Sequence, residues 1–305
     1  MRILITGSNG LLGQKLVELI STKNDYLIAT AKSKLVIDLP IGEFHSLDIT
    51  NLTEVEKVIF ASKPDVIINT AAMTQVDECE TKKEKCWSNN VTAVENLIKA
   101  CEQINTHLIH VSTDFIFDGT HGPLDETEKP NPLSYYGESK LAAEVAIQKS
   151  KLDWAILRTV LVYGVTKDMS RSNIVLWVKK NLEEGKTINV VNDQWRTPTL
   201  AEDLAIGCYL AATKKVKGIY NISGEKMMTP NDIAIQTAEF FGLNKSLISQ
   251  TDSSKFKQPA ARPPKTGFII DKAKRELGYQ PHSFTEGLTV LKNQIDKSLV
   301  DLRAQ

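Results

Sequence analysis

The sequence predicts an α/β protein built on a doubly wound parallel sheet, with a smaller C-terminal lobe. Three observations predict it. Short apolar runs alternate with helical patterns through the first half of the 305 residues. The first run, Arg2 to Thr6, leads into a glycine-rich turn and then a helix. After about residue 160 the alternation loosens, and pieces with plausible helical spacing are separated by proline-containing loops such as Gln258 to Pro264. Right-handed crossovers between parallel strands turn such an alternation into a sheet with helices on both faces.

In order, Arg2 to Thr6 reads as a buried strand, and Leu12, Leu16, Leu19 and Ile20 give Leu11 to Ile20 helical spacing. Tyr26 to Thr30 is a second strand and Phe44 to Leu47 a weaker third. Thr50 or Asn51 caps a helix through Phe60, and Pro64-Asp65 breaks the chain before the strand Val66 to Asn69. A helix over Lys85 to Gln103, a strand over Leu108 to Val111, a helix over Ser134 to Lys149 and a strand over Trp154 to Leu157 follow. Further helices are expected at Asn173–Glu184, Ala201–Ala212, Pro230–Phe241 and Thr285–Ser298. The expected division is a dinucleotide-binding half, residues 1–160, and a substrate lobe, residues 161–305, from which some segments return to the sheet.

Composition narrows the function classes. The hydrophobic share is 42%, and the 16 glycines bring it to about 47%, inside the globular range. Thirty-seven basic residues balance 37 acidic ones, so a nucleic-acid or membrane-surface protein is not expected. Cys79, Cys86, Cys101 and Cys208 form no C-x-x-C pair, so no zinc ribbon or redox motif is read, and reduced thiols are expected. The chain opens directly on its first strand, and no apolar run approaches the roughly 18 residues of a membrane span. The expected location is the cytoplasm.

The first strand runs into Thr6-Gly7-Ser8-Asn9-Gly10-Leu11-Leu12-Gly13, with glycines at intervals of three. Gly7 permits the tight turn, Gly10 lets the backbone approach a pyrophosphate, and Gly13 lets helix and strand pack closely. The helix that follows offers free N–H groups to an anion. A bare glycine turn is the alternative, but a strand before and a helix after is the context that nucleotide binding requires. The second strand ends in Ala31-Lys32-Ser33-Lys34 without the acidic residue that would hold the ribose hydroxyls of NAD, and Asp38 lies further on. Two lysines and a serine suit a 2′-phosphate, hence NADP, with NADPH preferred over NADH. The alternative is that Lys32 and Lys34 form only a solvated turn.

Tyr136 and Lys140 stand four apart in a predicted helix and so share one face. A tyrosine with pKa near 10 exchanges protons poorly at neutral pH, and a nearby ammonium favours its phenolate. The pair can therefore serve as a general acid or base. Ser112 and Thr113 end the preceding strand at its carboxyl end, where ligands bind in open α/β sheets, although ordinary strand capping would also explain them. His107 and His110 lie three apart on that strand and point to opposite faces, so they are read as structural and no metal site is expected.

These residues resemble the extended short-chain dehydrogenase/reductase family, a Rossmann-fold family. Its two hallmarks are the Gly7/Gly10/Gly13 pattern and the Tyr136/Lys140 pair. Within that family the chain is most similar to the dTDP-4-dehydrorhamnose reductases over nearly its whole length. The likeness includes Leu47 to Thr50, Asn69 to Ala72, Thr74 to Asp77, Val111 to Asp118, Pro132 to Lys140, Leu157 to Thr159, Val162 to Gly164, Asp193-Gln194 and Pro198-Thr199. The resemblance implies reduction of a nucleotide-activated 4-keto sugar, dTDP-4-dehydrorhamnose to dTDP-rhamnose, by hydride transfer from NAD(P)H. It implies Thr113, Tyr136 and Lys140 as the catalytic set. Gly7, Asn9, Gly10, Leu11, Leu12, Gly13, Lys32, Asp48, Ile49, Ala71 and Ala72 would line the cofactor, with Tyr136 and Lys140. Asp48 and Ile49 would flank the adenine, and Ala71 and Ala72 the nicotinamide half. Thr74, Val76, Asp114, Leu161 and Arg196 would face the substrate.

Departures gather on the substrate side. Leu161 stands where these reductases usually have tryptophan, Arg196 where glycine is usual, and Phe115 where tyrosine is common. Trp195 and Arg196 either pack the lobe or, for Arg196, grip a diphosphate with a bidentate guanidinium. A 4,6-dehydratase would follow its active-site threonine with Asp-Glu, and here Thr113 is followed by Asp114-Phe115. An epimerase uses the same Tyr and Lys. The methionine adenosyltransferase β subunit, a non-catalytic NADP-binding protein, also resembles this chain. A homodimer is the base-rate expectation.

Overall fold

The structure, a computed structural model, describes residues 1–167 and 173–303. Residues 168–172 and 304–305 of the expected lobe lie outside the described residues. The elements of the first half are β1 (Arg2–Thr6), α1 (Leu11–Ile20), β2 (Tyr26–Ala31), β3 (Glu43–Ser46), α2 (Leu52–Ser62), β4 (Val66–Asn69), α3 (Val76–Thr81), α4 (Lys83–Trp87), α5 (Ala93–Ile104), β5 (His107–Thr113), α6 (Tyr135–Lys149) and β6 (Trp154–Thr159). Beyond them lie β7 (Val162–Tyr163), α7 (Ile174–Glu183), β8 (Ile188–Val191), β9 (Thr199–Leu200), α8 (Ala201–Thr213), β10 (Gly218–Asn221), α9 (Pro230–Phe241), β11 (Ile248–Thr251), α10 (Asp271–Leu277) and α11 (Phe284–Arg303).

Seven strands form one sheet in the order β10-β6-β5-β4-β1-β2-β3, every neighbouring pair parallel. The chain winds outward from β1 to β3, then crosses to β4 and winds the other way. The β1/β4 boundary is therefore the switch point, where open α/β sheets bind ligands. The period-two strand splits its residues between two cores. Ile3 and Ile5 join Leu16 and Val17 of α1 and Leu204 and Cys208 of α8 on one face. Leu4 joins Val55 of α2, Leu97 of α5 and Ala143 of α6 on the other. Each such buried aliphatic side chain contributes about 1.5–3 kcal/mol of transfer free energy, and both faces need covering because a parallel sheet exposes neither.

Helix starts follow local chemistry. Asn51, not Thr50, caps α2, its side chain accepting from the N–H groups of Thr53 and Glu54. Ser134 caps α6 by accepting from Gly137 N–H, and Thr229 and Asp232 form a reciprocal capping box on α9.

The helix expected over Lys85 to Gln103 is broken. It divides into α4, a π-helical turn over Ser88–Thr92, and α5. The physical reason is Asn90: the wide turn carries it inward, where its amide accepts from Met73 N–H at 2.8 Å and donates to Met73 O and Ser139 Oγ, both at 3.0 Å. The β5 and β6 strands also run further than expected, to Thr113 and Thr159. β10, at 218–221, is one of the sheet's two edge strands, beside β6. Around the sheet's carboxyl end, β8 pairs with β11 and packs with α7 and α9, while Tyr163, Leu200, Phe284 and Leu288 form a further apolar cluster.

Candidate active site

The glycine turn leaves β1 at the switch point. Gly7 has φ +73°, and Gly10 N–H donates to Gly7 O at 2.9 Å. A Cβ on Gly13 would lie 2.2 Å from Gly7 O, so only glycine lets α1 start this close to the strand. No side chain caps α1 at Gly10, so the N–H groups of its first turn are left for an anion. That uncapped start, at the switch point and directly after the Gly7–Gly13 turn, fits a dinucleotide pyrophosphate. Ala71 packs on Gly7, and Ala71 and Ala72 lead from the end of β4 past Thr74 to Val76 at the head of α3.

The adenosine side is less open than the sequence suggests. Lys32 pairs with Asp48 at 3.0 Å, so the residues expected at the 2′-phosphate and at the adenine already touch. Ile49 is buried beneath them, and its carbonyl accepts from Asn96. Asn9 braces the loop after β2: it donates to Ser33 Oγ and Lys34 O and accepts from Val36 N–H, all within 3.1 Å. Asn9 thus shapes the phosphate side through Ser33 and Lys34. Leu11 packs against Gly164, and Leu12 against the core beneath the turn.

Thr113, Tyr136 and Lys140 come together where β5 ends against the start of α6. Thr113 Oγ accepts from Phe115 N–H at 3.2 Å and donates to Asp114 Oδ1 at 3.2 Å. A Cβ on Gly137 would meet Phe115 O at 2.2 Å, so this glycine lets α6 lie against the turn after Thr113 and bring Tyr136 to it. Phe115 stacks edge-on to Tyr136 with ring centroids 5.8 Å apart. Burial pushes the Tyr136 phenol well above its usual pKa, and its hydrogen bond with the Thr113 hydroxyl opposes this. Burial, not the Lys140 ammonium expected to lower it, sets the direction of this shift. Lys140, 2% exposed, donates to Val111 O at 2.7 Å and lies 2.9 Å from His110 Nε2. Burial brings it down to about 8, against the pull of Glu144, which forms a buried bidentate pair with Arg158.

Arg196 and Asp114 are brought together, but as a buried pair. Arg196 Nε faces Asp114 Oδ2 at 3.3 Å, its Nη1 donates to Trp195 O and Pro264 O, and its Nη2 donates to Pro263 O at 2.6 Å. Thr266 Oγ takes the same Asp114 oxygen. Of the two readings of Arg196, the geometry supports packing: four of its five N–H groups are spent inside the protein, on Asp114 and on the 263–264 loop. Asp114, 2% exposed, is likewise turned inward. Leu161 adopts φ +38°, a left-handed conformation costing about 1–2 kcal/mol in a non-glycine residue, and bridges the sheet core and the Tyr163 cluster.

Three further partners of this cluster are not legible as such in the sequence. His110, Asn69 and Asn90 are all buried and all hydrogen-bonded within one or two links of Tyr136 or Lys140. A signal existed for one of them: on a period-two strand His110 shares the Leu108 face, the face that α6 covers. Among the described residues no group of acidic, histidine or cysteine side chains is arranged to hold a metal ion, and no helix is long and apolar enough to cross a membrane.

Comparison with known proteins agrees with this geometry. A family model described as the RmlD substrate binding domain matches residues 1–296. A probable low-salt glycan biosynthesis reductase of Haloferax volcanii is 31% identical, covering 96% of this chain and 97% of that protein. Methionine adenosyltransferase 2 subunit beta of Xenopus laevis is 33% identical over 80% of this chain and 73% of its own. Among solved structures, a dTDP-4-dehydrorhamnose reductase from Clostridium acetobutylicum superposes with a TM-score of 0.87 at 28% identity, covering 97% and 100% of the two chains. One from Bacillus anthracis, in complex with NADP, gives 0.82 at 26% identity, covering 96% and 99%. With the glycine turn at the switch point and the Thr-Tyr-Lys cluster beside it, the chain belongs to the family of the RmlD substrate binding domain, within the extended short-chain dehydrogenases/reductases.

Proposed function

We propose that this protein is an NAD(P)H-dependent reductase of a nucleotide-activated 4-keto sugar, and that its reaction is dTDP-4-dehydrorhamnose to dTDP-rhamnose. The observation that carries the reading is the buried junction of Thr113, Tyr136 and Lys140 beside an uncapped, glycine-built helix start. When bound there, a reduced nicotinamide dinucleotide supplies the hydride. The chain's own residues do the rest. The first turn of α1 holds the pyrophosphate, and Ala71 and Ala72 line the nicotinamide side. Tyr136 holds a proton and gives it to the carbonyl oxygen. Thr113 orients that oxygen, and Lys140 supplies positive charge beside the phenolate that forms and holds the ribose.

We assign NADP as the preferred dinucleotide, on Lys32 and on the Ser33-Lys34 loop that Asn9 braces. The similarity to the Bacillus anthracis reductase solved in complex with NADP supports it. The reading includes a substrate lobe within residues 161–305, with Thr74, Val76 and Leu161 toward the sugar, a homodimer, and a cytoplasmic location. Sedimentation and cell fractionation test the last two. A second reading, a nucleotide-binding regulatory subunit, is favoured by the likeness to methionine adenosyltransferase 2 subunit beta.

Purified protein given dTDP-4-dehydrorhamnose with NADPH or NADH separates them. Substrate-dependent oxidation, faster with NADPH, is expected. Tight NADPH binding with no oxidation would replace the reductase by the regulatory subunit.

A further inference from the structure

Thr6, Asn69, His110 and Lys140, each at most 2% exposed, form one hydrogen-bonded row across the switch point. Thr6 Oγ donates to Asn69 Oδ1 at 2.6 Å. Asn69 Nδ2 lies 3.0 Å from His110 Nδ1, and His110 Nε2 lies 2.9 Å from Lys140 Nζ. Lys140 donates onward to Val111 O. Burial and the charge of Lys140 hold His110 well below its usual pKa, so the ring is neutral at pH 7.

A neutral imidazole has one donor and one acceptor nitrogen, and this restricts its neighbours. With the Asn69 amide nitrogen toward the ring, Nδ1 accepts, Nε2–H donates, and Lys140 must receive it as an uncharged amine. An ammonium only donates. With Lys140 charged, Nε2 must accept, the ring hydrogen moves to Nδ1, and Asn69 must turn its oxygen to the ring and its nitrogen to Thr6. The two arrangements differ by one proton, given up to water by the ammonium form, by the ring nitrogen that carries hydrogen, and by a half-turn of one amide.

We propose that His110 is a positioning residue that ties the charge on Lys140 to the orientation of the Asn69 amide, and through Thr6 to the phosphate-binding turn. A neutral partner suits this place. A carboxylate would pair with the ammonium and cancel its field at Tyr136, whereas imidazole satisfies Lys140 in either state without adding charge. Thr6 immediately precedes Gly7, and its hydroxyl also receives Ala71 N–H at 3.4 Å, so the row ends on the two segments that meet under the turn. The consequence for catalysis rests on the reductase reading above; the hydrogen-bond accounting does not.

The titratable groups facing Lys140 are His110, Cys86 and Glu144, the last paired with Arg158. Nitrogen-15 NMR of the full chain, with the His110 signal identified by its loss in His110→Gln, reads the tautomer directly. We expect Nδ1–H at pH 6, Nε2–H at pH 10, a midpoint that coincides with the titration of Lys140, and no imidazolium signal at pH 6. In Asn69→Asp the carboxylate can only accept, so Nδ1–H persists, and the Lys140 titration rises by about one unit or more. The alkaline limb of kcat moves upward with it.

One tautomer from pH 6 to 10 in the wild-type protein would overturn the proposal, as would unchanged switching in a folded Asn69→Asp variant. If that variant does not fold, the wild-type titration decides alone. A switching tautomer in a protein that reduces no keto sugar would remove the reductase reading and leave this one standing.

Discussion

The glycine turn and the region around Arg196 and Asp114 are built from different materials. Around Gly7, Gly10 and Gly13 the backbone makes the surface: a left-handed turn, a helix start without a side-chain cap, and a contact that admits no Cβ at Gly13. Around Arg196 and Asp114, buried side chains hold distant segments together. A buried guanidinium ties the turn after Thr113 to carbonyls of Pro263 and Pro264, and Arg262 ties the same loop to Asp77 of α3 at 2.7 Å. A surface made of backbone can recur unchanged in proteins with different substrates. A tie made of side chains from distant segments changes with each substitution, and this region carries Leu161, Arg196 and Phe115 where the family resemblance sets other residues.

Breaking each side separately sharpens the contrast. The largest effect belongs to the junction between them. Tyr136→Phe lowers turnover by about 10²–10⁴, the usual loss for a general acid, while the dissociation constant for NADPH stays near the wild-type value. Steady-state kinetics with fluorescence titration checks both halves of that statement. Next, Arg196→Met strands the Asp114 carboxylate in a buried place. A loss of about 3–5 kcal/mol in denaturant unfolding is expected, with partial recovery in the double variant that adds Asp114→Asn. If Arg196 instead gripped a diphosphate, stability would hold and only substrate KM would rise.

Gly13→Ala comes third. Overpacking against Gly7 O costs about 1–3 kcal/mol and shifts the pyrophosphate turn, so NADPH affinity falls by about tenfold or more at constant fold, read by titration and circular dichroism. Lys32→Ala follows: its pair with Asp48 is half-exposed, so stability changes by less than about 1 kcal/mol, but the preference for NADPH over NADH shrinks. An unchanged cofactor ratio would make the lysine a solvated turn residue. The smallest effect is expected from Arg262→Ala. Stability drops by at most about 1 kcal/mol, and limited proteolysis within residues 258–264 speeds up.

The same contrast explains what the sequence disclosed. Period-two and helical spacing revealed nearly every strand and helix of the sheet, because those patterns are local. Glycine spacing between a strand and a helix located the turn, and the Tyr136/Lys140 interval located the junction, since four residues on a helix span one face. Long-range pairings were hidden. Nothing local to Arg196 announces that Asp114, 82 residues earlier, and Pro263 take its donors. The break in the expected helix at Ser88–Thr92 is caused by Asn90 reaching Met73 and Ser139, neighbours in space only. His110 reads as one more buried strand residue until Lys140 is seen against it.

Proton delivery by this junction and hydride transfer to a sugar carbonyl can be read together in one isotope experiment. Incubating the protein with dTDP-4-dehydrorhamnose and NADPH carrying deuterium at the nicotinamide C4, and analysing the sugar by NMR, tests both most directly. The expected product is dTDP-rhamnose with deuterium at sugar C4, formed by the wild-type chain and at most about a hundredth as fast by Tyr136→Phe. Deuterium retained in the nucleotide, with NADPH bound and the sugar unchanged, would contradict both.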